Sequence, residues 1–181
     1  MSIDYFLTFE NQIHNFLFGL LILTFLLHRK DDSFLSTIVV LCLISFMGIA
    51  VSPSLLEVSS KPHILSKLAW HGSHALIVLF GIGLLQLLHE QRQITIGIYG
   101  KVVIHAYAII IILHCIRFMV KAVIGLQSTI FRDIYQYGIF GINIFVVVIG
   151  LVGLFAITFQ KIILINQSNI EVKTWSDKPT D

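Results

Sequence analysis

The chain has 181 residues, of which 56% are apolar and only 12% charged, and its mean hydropathy is +0.90. A water-soluble domain carries roughly 25% charged residues, so this composition cannot clothe a folded surface and describes an integral membrane protein whose first partner is the lipid bilayer. Twelve Lys and Arg against ten Asp and Glu leave a net charge of +2. With no basic run longer than Arg29-Lys30, binding to nucleic acid is excluded.

A hydrocarbon core about 30 Å thick takes roughly 20 apolar residues per helical crossing. Five segments approach that length, which predicts an all-α polytopic bundle of about five transmembrane helices over residues 1–165. The first runs from about Ile13 to His28. Its apolar stretch, Phe16 to Leu27, is short unless the amphipathic lead-in from Tyr5 to Asn15 continues the helix, and that lead-in lacks the basic start and cleavage pattern of a signal peptide. The second, Phe34 to Ser52, carries no charge and is expected to stop at Pro53 and to act as a packing or lipid-facing helix.

The third crossing, about Ile64 to Leu88, and the fourth, about Gly97 to Val120, carry Lys67, His71, His74, His105, His114 and Arg117 in or near their apolar spans. A Lys or Arg there costs about 2.5–3.5 kcal/mol on insertion scales, so such groups face the interior of a bundle and mark function. The fifth, about Tyr137 to Phe159, has Gly138, Gly141, Gly150 and Gly153 for close packing, together with Asn143. Residues 166–181 read as a short polar, disordered cytoplasmic tail. With the N-terminus outside, seven basic residues fall inside against five outside, which favours N-out, C-in; the expected setting is a bacterial inner membrane.

The histidines carry the functional expectation. At about 100° and 1.5 Å per residue, His63, Lys67, His71 and His74 fall at about 0°, 40°, 80° and 20° on the third helix, forming one stripe. Tyr107, His114, Arg117 and Lys121 span about 80° of the fourth. His71 and His114 each lie roughly 10–12 Å from the outer helix ends, so antiparallel neighbours would bring their imidazoles level.

Facing imidazoles in an apolar bundle are what a b-type haem needs as axial ligands. His71 or His74 would then stand opposite His114, with Arg117 and Lys67 as cations for the propionates. Such a protein would pass electrons between a quinol or another membrane redox partner and an acceptor. A second geometry places two stacked haems on His14, His28, His74 and His89, an arrangement similar in spacing alone to transmembrane di-haem cytochromes b.

Two alternatives stay open. His71, His74 and His114 could hold a Cu or Zn ion in a metal or small-anion carrier, although Lys67 and Arg117 add like charge beside it. The histidines of a non-catalytic accessory or sensor subunit could instead join helix to helix with no cofactor. No acidic residue lies inside a crossing, which weighs against proton-driven transport. No His-Glu-x-x-His motif is present, and Cys42 and Cys115 form neither a disulfide framework nor a cysteine zinc site.

Overall fold

The computed structural model describes the backbone of residues 3–27, 32–61, 63–125 and 128–176, with side chains described for 12–13, 15–27, 33–61, 63–125 and 128–164. The described chain is all helical. Its elements are α1 (Ile3–Leu27), α2 (Asp32–Ser59), α3 (Ile64–Gln91), α4 (Ile98–Phe118), a π-helical turn (Met119–Val123) and α5 (Thr129–Ser176).

Four helical spans, Ser33–Ser59, Ile64–Gln91, Ile98–Val123 and Thr129–Leu164, are long and apolar enough to cross a membrane, while the apolar part of α1, Asn15–Leu27, is shorter. As the amphipathic lead-in allowed, α1 as a whole continues back to Ile3.

The helices pack as a ring in which α2 meets α1 and α3, α4 meets α3 and α5, and α5 returns to α1. Each helix turns one apolar stripe inward. Ile13, Leu17, Leu20 and Thr24 form it on α1, and Tyr99, Val103, Tyr107, Ile110 and His114 on α4, all buried at helical spacing. Outside the ring, residues such as Leu65 and Phe155 are exposed as lipid-facing side chains are.

Two expectations about helix ends need correction. Pro53 does not stop the second helix, which includes it and runs on to Ser59. A proline removes one backbone donor, and a membrane helix tolerates this where neighbouring groups take up the freed acceptors. The acceptor freed at Pro53 is the Ile49 carbonyl; one residue earlier, the Ser52 hydroxyl donates to the Gly48 carbonyl at 2.7 Å. The α5 backbone, moreover, continues as helix through most of the segment expected to be an irregular tail, to Ser176. No proline precedes Pro179 there to end it.

The second helix is also more central than expected. Half of its most apolar window is buried, against 17–28% for the other three spans. Ile38 and Leu41 are fully enclosed. Close approach to α3 depends on Gly81, where a Cβ would overlap the Ile44 side chain, and the approach of α5 to α1 and α4 depends on Gly150.

A polar clamp fixes one end of the bundle. The buried His89 ring donates from Nδ1 to the Leu85 carbonyl at 2.7 Å and accepts at Nε2 from the Ser33 hydroxyl at 2.9 Å. Ser33 Oγ in turn accepts the Gly97 N–H at 2.8 Å. One hydroxyl thus joins the start of α2, the end of α3 and the entry to α4.

Ser33→Ala should lower stability by about 1–3 kcal/mol, because it strips the buried His89 ring and the half-buried Gly97 N–H of their partner. Thermal unfolding in detergent reads this directly. Gly150→Leu should cost about 1–3 kcal/mol by overpacking, since an added Cβ would lie 2.7 Å from both Leu20 and the Tyr99 hydroxyl. Gly141→Leu, with nothing within 4 Å of its Cβ position, should leave the midpoint unchanged.

Candidate functional site

The other end of α3 carries the histidine cluster. His71 shares the buried face of α3 with Val78, Gly81, Leu85 and His89, and His114 ends the buried stripe of α4. Because α3 and α4 are antiparallel neighbours, the two imidazoles lie level. Their Nδ1 atoms are 3.5 Å apart and their ring centroids 5.7 Å apart, with both side chains buried.

His74 lies almost one turn further along α3 and stacks on His114 at 5.5 Å with 16° between the ring planes. Its nitrogens point elsewhere. A carbonyl can only accept, so Nδ1 carries the proton it gives to Trp70 O at 2.8 Å, while Nε2 faces Ser52 Oγ at 3.3 Å.

Tyr135, in the second turn of α5, closes the cluster. Its ring stands edge-on to both His71 and His114 at 5.4 Å. Its phenol oxygen lies 3.2 Å from His114 Nδ1, within hydrogen-bond distance.

Three cations gather around these rings. Lys67, Arg117 and Lys121 all lie within electrostatic reach of His71. Lys67 Nζ donates to the Ser59 carbonyl. Arg117 follows His114 by almost one turn, and its Nη1 is buried without a hydrogen-bond partner. The π turn that begins two residues later packs against α3 and closes with Ile124 N–H donating to Met119 O at 3.0 Å. Such turns often occur at functional sites, where they re-aim neighbouring side chains. Among the described residues the one ion pair is Arg132 with Asp133, on the exposed surface, so no carboxylate answers the cations around His71.

Of the residues singled out from the sequence, the structure brings together His71, His74 and His114, with Lys67 and Arg117 around them. His63 is an exposed N-cap, and His105 is exposed and donates from Nδ1 to Lys101 O at 2.7 Å. His14 lies on α1 with its side chain outside the described residues, and His28 is outside them altogether. Among the described residues, no three His, Cys, Asp or Glu side chains group so as to hold a metal ion.

Tyr135, Ser52 and Trp70 were not anticipated. Tyr135 precedes the expected start of the fifth crossing, and Ser52 sits on the helix expected to carry no chemistry. Only their tertiary neighbours single them out.

No protein-family model, curated protein or solved structure matches this chain, and the site is therefore read from its own geometry.

Tyr135→Phe should remove the hydrogen bond to His114 while keeping the edge-on ring. The expected loss is about 0.6 kcal/mol, as for a typical polar contact between membrane helices, with a changed tautomer balance for His114 visible in its ring nitrogen shifts. Unchanged shifts would show that the phenol does not hold the imidazole.

Proposed function

We propose that this protein is a small membrane electron-transfer protein that holds one b-type haem between His71 of α3 and His114 of α4. The observation that carries this reading is the pair of buried imidazoles facing each other at 3.5 Å between two helices. A bis-histidine haem would be held by two imidazole nitrogens, those of His71 and His114. It therefore needs no third ligand of the kind that a Cu or Zn ion would draw from His74, and among the described residues no three His, Cys, Asp or Glu side chains group so as to hold a metal ion.

Charge supports the same choice. Lys67, Arg117 and Lys121 would repel a doubly charged ion held by imidazoles, whereas haem brings two propionates. The unpartnered Nη1 of Arg117 is a donor suited to one of them, and Lys67 and Lys121 add attraction at the same end.

When bound, the haem would supply one-electron chemistry. The chain's own part is to bind and orient. His71 and His114 would supply the ligating nitrogens, and His74 and Trp70 an aromatic wall. Tyr135, edge-on to both imidazoles at 5.4 Å, would flank the bound group. In this reading the electron donor is a quinol or another redox partner in the bilayer, and the setting is a bacterial inner membrane.

The test is a dithionite-reduced minus oxidised absorption spectrum of the purified chain supplied with haem, with metal analysis of the same sample. A sharp b-type α-band is expected. It should vanish in His71→Ala and His114→Ala and persist in His105→Ala. Arg117→Gln should weaken haem retention by roughly ten- to a hundredfold, as loss of a charge-assisted hydrogen bond worth about 1.5–3 kcal/mol implies. A featureless spectrum from folded protein would overturn the reading. Stoichiometric Cu or Zn would then assign the site to a metal carrier, and a metal-free, colourless protein to an accessory or sensor subunit.

A further inference from the structure

We propose that a groove between α4 and α5, at the end of the bundle away from the histidine cluster, holds one acyl chain of an anionic phospholipid whose headgroup phosphate rests on Lys101. The groove has a volume of about 470 Å³ and an almost wholly apolar lining, including Val102, Ala106, Ile109, Ile142 and Phe145. That volume lies within the range of small-ligand sites, roughly 300–1,000 Å³.

Its dimensions fit a lipid chain. From Ile98 to Ile109 along α4 the groove runs about 16 Å, close to half of a hydrocarbon core about 30 Å thick. It therefore reaches from headgroup level to the midplane, the span of one leaflet. Ile98, Ile109 and Phe145 are 84%, 50% and 48% exposed, so the groove opens on the face that lipid covers.

Charge selects the headgroup. Lys101 is the one charged residue of the lining, and it is exposed in the first turn of α4, where the helix dipole adds positive potential. No carboxylate lies in the lining, and among the described residues no ion pair involves Lys101. His105, one turn further in, donates from Nδ1 to the Lys101 carbonyl at 2.7 Å, which holds its ring back toward the same end. A phosphate answers this cation, whereas the neutral ring of a quinone does not. The site shares no residue with the histidine cluster and is independent of the haem reading.

The experiment uses the full chain reconstituted in mixed phosphatidylglycerol and phosphatidylcholine. Native mass spectrometry then counts the lipids kept after detergent stripping. One tightly held phosphatidylglycerol is expected, preferred over phosphatidylcholine by about fivefold, the equivalent of about 1 kcal/mol for one lysine at a lipid surface. Lys101→Gln should abolish the preference but not the chain binding, and Ile109→Trp should lower occupancy by both lipids. Lys61→Gln, far from the groove, should leave both intact. Equal retention of the two lipids, a preference that survives Lys101→Gln, or recovery of a prenylated quinone in place of phospholipid would overturn the proposal.

Discussion

A hydrocarbon medium offers no water to a buried polar side chain, and the structure follows from how this chain answers that constraint. Each buried imidazole must find its partners in the protein or in something the protein binds. The two ends of α3 answer differently. At one end His89 is closed off, with both nitrogens engaged by Leu85 O and Ser33. At the other, His71 and His114 meet at 3.5 Å with the Tyr135 phenol beside them. The first arrangement is saturated and serves architecture. The second retains nitrogen capacity, and it is the one that the surrounding cations face.

That asymmetry in hydrogen bonding is matched by an asymmetry in charge. Near His71 the chain gathers Lys67, Arg117 and Lys121, and the carboxylate of Asp133 is taken by Arg132. Like charges gathered in this way repel one another, and an anion bound beside them would relieve that repulsion. The buried Nη1 of Arg117 is where that need is sharpest. Lys101 poses a weaker version of the same question beside the apolar groove, where lipid headgroups are already at hand.

The second helix ties these features together. Composition alone makes it a plain apolar span, yet it supplies Ser33 to the clamp, Ser52 to His74 and the most enclosed core residues, Ile38 and Leu41. Small hydroxyl side chains can satisfy their own helix, as Ser52 does with Gly48 O, and still lie beside a neighbour, here His74 Nε2 at 3.3 Å. Its one breaker, Pro53, is absorbed without ending the helix.

The amino-acid sequence by itself determined the membrane setting, the all-helical class and the approximate spans, because apolar length and helical period are local properties that a bilayer reads directly. It also placed His71 and His114 at one depth, since rise per residue converts sequence position into height once two helices are antiparallel. Tertiary structure alone decided that His74 turns its nitrogens to Trp70 and Ser52, that Tyr135 completes the cluster, and that His89 is a clamp. Side-chain direction and the choice of partner depend on which faces meet, and helices with little contrast between their faces leave that to packing. The π turn after Phe118 and the passage of α2 through Pro53 were hidden for the same reason: each is a local irregularity held in place by neighbouring helices.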